Sequence, residues 1–262
     1  MPSARRGLKV AAPVLYTRLL ASLPADVAPA AVDAVIDLAR ALGAELQAVL
    51  LEDVATLALA ELPSPRAFDT RVSLWRDVQR ADMHRELELA AAALRRRLDA
   101  ARRAGLHTQV TVARGGLGTM LGEHAQATDL LVVTEPADPL ARWVQPFAGL
   151  LDAALASPAA LLYLPHRGAR ASGPIAAFGS GVAAELAQRL AQALGAPRIE
   201  AEAADLSPRA RSLRALLVPL QQRRVRVVVC ERACLGAHPQ RTLQEAGDHR
   251  LAVLLAPAPN GA

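Results

Sequence analysis

Two nearly identical heptapeptides, LARALGA at Leu38–Ala44 and LAQALGA at Leu190–Ala196, decide how this chain is organised. Each one closes an amphipathic stretch in which apolar residues recur every three or four positions, the spacing of one helix face. Each stretch stops at a glycine, Gly43 or Gly195, the residue that most readily takes the left-handed backbone after a helix. The repeat predicts two equivalent helices, one in each half of the chain.

The segments after the repeat keep the same order in both halves. An extended segment comes first, ELQAVLLED (45–53) or RIEAEAADL (198–206), and later a compact apolar strand, LLVVTEP (130–136) or VRVVVCER (225–232). A final strand closes in proline, LLYLP (161–165) or VLLAP (253–257). Short apolar runs that alternate with helical patterns are typical of parallel strands covered by helices on both faces. The sequence predicts an α/β fold with two doubly wound parallel-sheet domains.

The two predicted domains differ in length. The first spans residues 1–167 and the second, shortened domain spans 173–262, with the linker HRGARASG at 166–173. The second domain lacks a counterpart to residues 54–88, which hold a Pro-bearing loop, ELPSPRAFDT (61–70), and the start of a long helix. That helix is predicted over 78–104, because Leu87, Ala91, Leu94, Leu98 and Ala101 form one apolar stripe.

Composition and charge narrow the classes of function. The formal charge is +5, carried almost wholly by scattered arginines with few aromatic residues, so we expect no nucleic-acid binding. No run reaches the ~18 consecutive apolar residues that a transmembrane helix needs, and the N-terminal residues lack the pattern of a signal peptide. With only Cys230 and Cys234, we expect a cytoplasmic, reduced protein that does not bind membranes.

The chain resembles the universal stress protein family. The resemblance rests on LARALGAEL, AVLLED, LRRRLDAARRAG, TQVTVARG, DLLVVTEP and SPAALLYLP, and it covers about residues 10–165. Residues 173–257 resemble the degenerate second copy of tandem members. The resemblance implies a five-stranded parallel sheet with strand order 3-2-1-4-5, a fold related to the adenine nucleotide α-hydrolases. It also implies a pseudo-dimer in which LLYLP pairs with VLLAP, alone or in a dimer of such units.

Two features of the ATP-binding members are poorly matched. In those members an aspartate ends the first strand, whereas VAAPVLYTR (10–18) is predicted to end near Tyr16, Thr17 and Arg18 without one. A glycine-rich loop after the fourth strand holds the phosphates there, but the residues after Val133 include Pro136, Pro139 and Pro146, which offer no N–H groups. Glu135 and Asp138 would repel phosphate. We therefore predict that the ATP-binding loop is lost.

Open α/β sheets bind ligands at the carboxyl ends of their strands, where the strand order reverses. The residues predicted to lie near such ends, and so to contact a ligand, are Tyr16, Thr17, Arg114, Gly115, Thr134, Arg142, Gly179 and Ser180. The last two belong to Gly179-Ser180-Gly181, either an anion site at a helix N-terminus or a turn in which Ser180 caps the helix.

The sequence shows no motif for dinucleotide binding, redox chemistry, metal binding or nucleophilic catalysis. The glycines of RGGLGT (114–119) miss the dinucleotide spacing, and the segment is predicted to be a strand-to-helix turn. Three residues lie between Cys230 and Cys234, not the two of redox and zinc motifs, and Cys230 is predicted to end a buried strand. The histidines stand singly, and no nucleophile elbow occurs. We expect no metal and no catalytic residues.

The leading hypothesis is a non-enzymatic stress-response or regulatory protein that binds a protein partner or a small ligand other than ATP. The first alternative is a protein that binds ATP or AMP through strand-end backbone groups and Arg114 or Arg142. The second is a nucleotide-using transferase or ligase of related fold. The sequence leaves all three open.

Overall fold

The structure, a computed structural model, describes residues 15–24, 27–52, 66–69, 74–77, 80–114, 125–137, 141–142, 147–201 and 212–257. The side chains of some residues within these ranges are not described, including those of Leu51, Glu52, Ala113 and Arg114. Within these ranges, no helix is long and apolar enough to cross a membrane.

The first half alternates strands and helices. Its elements are β1 (Arg18–Leu23), α1 (Pro29–Leu42), β2 (Glu45–Glu52), β3 (Arg66–Asp69), β4 (Leu74–Asp77), α2 (Arg80–Arg103), β5 (Thr108–Arg114), β6 (Asp129–Thr134), α3 (Phe147–Ala156) and β7 (Ala160–Leu164). Strands β3 and β4 form a separate antiparallel pair, so part of the predicted Pro-bearing loop is a strand. The long helix has nearly its predicted bounds.

The second half repeats the alternation with shorter elements. They are β8 (Ile175–Phe178), α4 (Val182–Leu194), β9 (Arg198–Glu200), α5 (Leu213–Gln222), β10 (Val227–Cys230), a 3₁₀ turn (Arg232–Leu235), α6 (Pro239–Asp248) and β11 (Ala252–Leu255). Of the extended segment predicted at 198–206, only the three residues of β9 form a strand, and residues 202–206 lie outside the described ranges.

The described strands of both halves, other than the β3–β4 pair, join in one nine-stranded sheet of order β5-β2-β1-β6-β7-β11-β10-β8-β9. The five first-half strands are parallel and, in chain order, have the 3-2-1-4-5 arrangement. Strands β8, β9, β10 and β11 are parallel to each other. The α/β prediction is confirmed, and the two predicted sheets are continuous with one another.

The halves meet at an antiparallel pair of strands. Tyr163, Leu162 and Leu161 of β7 lie opposite Val253, Leu254 and Leu255 of β11, as expected for LLYLP and VLLAP. All these residues are at most 3 % exposed. The pairing satisfies backbone groups that an uncovered edge strand would leave open. It also turns the carboxyl ends of first-half and second-half strands toward opposite edges of the sheet.

The repeated heptapeptides form the helix ends that the sequence predicts. Gly43 closes α1 with φ 64°, and Gly195 closes α4 with φ 59°, both in the left-handed region. The N–H of Ala44 then donates to the carbonyl of Ala39, and the N–H of Ala196 donates to that of Ala191. These bonds satisfy carbonyl groups that the last helical turn leaves without partners.

Alternating strand residues divide the core into two apolar layers. Leu130 and Val132 of β6 face the layer that contains α1, α2 and α4. Leu131 and Val133 face the layer that contains α3, α5 and α6. This alternation is the period-2 geometry of a strand, and it determines which helices each strand-end side chain approaches.

Candidate functional site

The carboxyl ends of the first-half strands form the edge where open α/β sheets bind ligands. The strand order reverses between β1 and β6, since β2 and β5 lie on one side of β1 and β6 and β7 lie on the other. Thr134 ends β6 and Glu135 follows it, while Pro165 and His166 follow β7. These described residues define the candidate site.

Among the described residues, Glu135 is a fully buried charged group at this edge. Its side chain is 0 % exposed, and its carboxylate accepts the Tyr163 hydroxyl at 2.9 Å and the His166 backbone N–H at 3.2 Å. The Arg142 guanidinium lies 3.1 Å away and is 10 % exposed. A buried carboxylate needs such partners because burial removes the water that stabilises its charge.

Helix α6 of the second half covers the same carboxylate. A β-carbon added at Gly247 would lie 2.7 Å from Oε1 of Glu135, so only glycine fits there without movement. Asp248 accepts a bond from Arg142 at 2.9 Å, and the Gln244 side-chain amide donates to the Arg142 carbonyl at 2.9 Å. We call Glu135, Arg142, Tyr163, His166 and Asp248 the Glu135 cluster.

The Glu135 cluster contains two carboxylates and one guanidinium. Arg142 faces two carboxylates, and Nδ1 of His166 lies 3.4 Å from both Glu135 and Arg142. Burial raises the pKa of Tyr163 well above its usual range, and the neighbouring Glu135 raises it further. The tyrosine therefore remains a neutral donor, and the arginine is held by anions of the protein itself.

The structure brings three of the predicted site residues to this edge, namely Thr134 at the end of β6, Arg142 beside Glu135 and Arg114 at the end of β5. Thr134 is 1 % exposed, and its hydroxyl has no hydrogen-bond partner among the described residues. It follows Val133 by one residue and so faces the α1 layer, whereas Glu135 faces α6. Arg142 is bound to Glu135 rather than directed to solvent.

Tyr16 and Thr17 lie at the wrong end of the first strand for the predicted role. β1 begins at Arg18, so both residues precede it and lie at the amino edge of the first-half strands. The prediction placed the strand too early because VAAPVLYTR is as apolar as RLLASL. Arg18 pairs there with the buried Asp129 at 2.6 Å, and Tyr16 is buried with no partner for its hydroxyl among the described residues.

Because β1 ends later than predicted, the lack of an aspartate near Tyr16, Thr17 and Arg18 does not describe the end of this strand. β1 ends at Leu23, and the next acid in the sequence is Asp26, which lies outside the described residues. Arg114 ends β5 opposite Glu52 of β2, and its side chain is not described. Gly115 and Thr119 lie outside the described residues.

Gly179 and Ser180 follow β8 at the opposite edge of the sheet, so they do not join the candidate site. Gly179 and Gly181 have φ values of 108° and 63°, which suit glycine in a tight turn. The N-cap of α4 is Gly181 and makes no side-chain capping bond, so the interpretation of Ser180 as the cap is wrong. The backbone turns so tightly that glycine, not serine, occupies the capping position.

Neither a disulfide nor a metal-ligand group is found in the part of the chain that the structure describes. Cys230 ends the buried strand β10, as predicted, and burial raises the pKa of its thiol well above the usual range. Cys230 and Cys234 are both free thiols. No group of three or more His, Cys, Asp and Glu side chains that could hold a metal ion occurs among the described residues.

The sequence predictions missed Tyr163, His166 and Asp248 as members of the site. From the sequence, Glu135 is expected only to repel phosphate, and no partner for it is predicted. The sequence does contain one indication of this site, because an acidic residue directly after an all-apolar strand is expected to lie near the buried end of that strand. Its partners carried no signal, because Tyr163 lies 28 residues away and Asp248 lies 106 residues from Arg142.

Comparisons with known proteins identify the fold. No family model matches the chain, and no match was found among curated proteins. A universal stress protein from Archaeoglobus fulgidus DSM 4304 superposes with a TM-score of 0.58 at 10 % identity, covering 92 % of this chain and 97 % of that one. A putative universal stress protein from Pseudomonas aeruginosa UCBPP-PA14 gives 0.54 at 12 % identity, covering 92 % of each chain.

A functionally unknown protein from Pseudomonas aeruginosa PAO1 superposes with a TM-score of 0.55 at 14 % identity, covering 92 % of this chain and 93 % of that one. These matches extend over both halves of the chain, not the first half alone. The strand order of the first half agrees with the order that the family resemblance implies. The chain therefore has the α/β fold of the universal stress proteins.

Proposed function

We propose that this chain is a tandem universal stress protein that acts as a non-enzymatic regulator and does not bind ATP at the first-half strand ends. Glu135 carries the proposal. A carboxylate with no exposed surface lies one residue beyond β6, and Arg142 is already paired with it. A triphosphate at this position would meet a fixed negative charge and no free cation of the Glu135 cluster.

The tandem assignment is supported by the repeated heptapeptides and by the order of the second-half strands. Those strands have the 2-1-4-5 part of the first-half arrangement, if β10 and β11 are taken as its fourth and fifth strands. The pairing of β7 with β11 then resembles a dimer contact made within one chain. We propose a shortened second domain, a pseudo-dimeric architecture and a cytoplasmic location. The regulated partner is a protein or a small ligand other than ATP.

One observation favours the adenine-nucleotide alternative. The buried Thr134 hydroxyl at the end of β6 has no described partner, and it lies where the strand order reverses. A bound nucleotide would supply the missing acceptor or donor. This alternative needs Thr134 to contact the ligand, so the Thr134→Val variant would weaken nucleotide binding.

Titration calorimetry and thermal melting with ATP and AMP, each with Mg²⁺, test the proposal. We expect no saturable heat and no change in Tm. Melting would reveal binding, because a ligand at 100 times its Kd adds about 2.7 kcal/mol of apparent stability. Saturable ATP binding that Thr134→Val weakens would overturn the proposal in favour of the nucleotide alternative. Steady release of phosphate or pyrophosphate from ATP would overturn the non-enzymatic part.

A further inference from the structure

A cavity of about 290 Å³ lies on the α1 face of the sheet, away from the Glu135 cluster. Leu162 and Leu164 of β7 line it from the sheet, and Leu38 and Leu194 line it from α1 and α4. Arg170 and Arg226 also line it. The cavity thus combines an apolar interior with guanidinium groups, the composition of a site for a ligand with one charged end.

The linker wall of the cavity packs against its surroundings. Gly173 comes so close to the backbone of Arg224 that a β-carbon on it would lie 2.3 Å from the Arg224 carbonyl oxygen, whereas Gly168 leaves room for ordinary contact with Ala30. Between these glycines, Nη1 of Arg170 donates to the carbonyls of Gln221 and Val225 at 3.2 and 3.5 Å. These contacts shape the cavity before any ligand enters, which lowers the entropic cost of binding.

The acidic residues of the cavity already have partners. Asp33 accepts a bond from Arg97 at 2.7 Å, and Asp37 lies 3.5 Å from Arg40. The arginines do not have acidic partners, since Arg170 donates to carbonyl groups and Arg226 makes no ion pair among the described residues. The unbalanced charge at the cavity is therefore positive.

The surroundings of Arg170 point to the same sign of charge. The pKa of Arg170 is lowered first by partial burial and then by the neighbouring Arg224 and Arg250. Burial alone would not show the sign of the local charge, but Arg224 and Arg250 lie close enough to disfavour the charged form of Arg170, so the local potential is positive. An anion placed near Arg170 and Arg226 would relieve this repulsion.

We propose that the cavity binds a small amphipathic anion, with its carboxylate on Arg226 and Arg170 and its aliphatic body against Leu162 and Leu164. The volume lies at the lower end of ligand cavities, which fits a short aliphatic body rather than a drug-sized ligand. The site joins elements of both halves, since α1 and β7 belong to the first and Leu194 and Arg226 to the second. The inference does not depend on the proposed regulatory function.

Titration calorimetry of the full chain with octanoate tests this site. Octanamide keeps the body without the charge, and acetate keeps the charge without the body. We expect saturable binding of octanoate, with octanamide and acetate each at least about tenfold weaker, because each lacks one of the two contacts. Equal affinity for octanoate and octanamide, or no saturation by octanoate at millimolar concentration, would overturn the proposal.

Matched variants locate the binding. Arg226→Gln should weaken octanoate binding at least about tenfold, and Ala34→Phe should block it by filling the cavity from α1. Arg223→Gln removes the same charge from an exposed residue outside the cavity lining, and it should leave the affinity within about twofold. Thermal melting of each variant confirms that it is folded. If Arg223→Gln and Arg226→Gln weaken binding equally, the effect is one of net charge and the assignment fails.

Discussion

Gly247 of α6 lies so close to Glu135 that a β-carbon on it would be 2.7 Å from the buried carboxylate oxygen. The contact joins a helix of the second half to the end of a first-half strand. We predict that Gly247→Ala lowers the free energy of unfolding by about 1–3 kcal/mol, because the crowding outweighs the better helix propensity of alanine. Urea unfolding measures the change.

The double variant Glu135→Asp/Gly247→Ala checks the cause. Aspartate is one methylene shorter, so the crowding should fall and the two substitutions should destabilise less together than the sum of their separate effects. Additive effects would show that the Gly247 contact is not the source of the loss.

The buried pair of Glu135 and Arg142 gives a second prediction. Arg142→Met should lower the free energy of unfolding by about 3–5 kcal/mol, because it leaves the Glu135 carboxylate buried without its cation. Arg142→Met/Glu135→Gln removes both charges and should recover a large part of that loss. Denaturant unfolding of the two variants and the parent compares them directly. A double variant no more stable than Arg142→Met would contradict this account.

The two buried tyrosines should respond in opposite directions to the loss of their hydroxyl groups. Tyr163→Phe removes the bond to Glu135 and should destabilise the protein by about 1–2 kcal/mol. Tyr16→Phe removes a buried hydroxyl that has no described partner, so it should be neutral or stabilising by up to about 1 kcal/mol. Thermal melting at neutral pH measures both. Equal destabilisation by the two variants would be the contrary result.

Alkaline pH should destabilise the protein through the same tyrosines. Burial raises the pKa of both Tyr16 and Tyr163 above the usual value of 10.0. The unfolded chain therefore ionises first, so their contribution to stability is complete below about pH 10 and is lost as the pH rises further. Unfolding followed from about pH 8 to pH 11.5 should show this fall. Tyr16→Phe/Tyr163→Phe should flatten it, and an unchanged slope would exclude these residues as its cause.

Arg232 should stabilise the end of helix α3. Its guanidinium donates to the carbonyls of Ala154, Leu155 and Ala159, which lie at the end of the helix and just before β7. Arg232→Met keeps much of the side-chain volume and should speed amide hydrogen exchange in α3 because these carbonyls lose a charged donor. Arg223→Met, at an exposed position, is the control. Unchanged exchange in α3 would contradict the role.

Local signals in the sequence predict most of the fold. The apolar run before Glu135 and the glycines that end α1 and α4 are short local patterns. They are sufficient to predict β6 and both helix ends correctly. The first strand was misplaced because the apolar segments before and after Arg18 are alike in character. That error moved Tyr16 and Thr17 to the opposite edge of the sheet.

The candidate site was less predictable than the fold. Thr134 was found because it ends a recognisable strand. Arg142 was also found, but as a free cation rather than as the partner of Glu135. Its pairing with Asp248 depends on the antiparallel contact of the halves, and no local pattern encodes a contact over 106 residues.

The pairing of β7 with β11 has a consequence for how the molecule responds to dilution. Two strands on one polypeptide meet at an effective concentration set by the intervening chain, of millimolar order for short flexible connections. Two separate subunits joined along the same strands would come apart as their concentration fell toward the dissociation constant. Here the contact belongs to a unimolecular equilibrium, so the joined sheet persists in a cell that holds only a few copies of the protein.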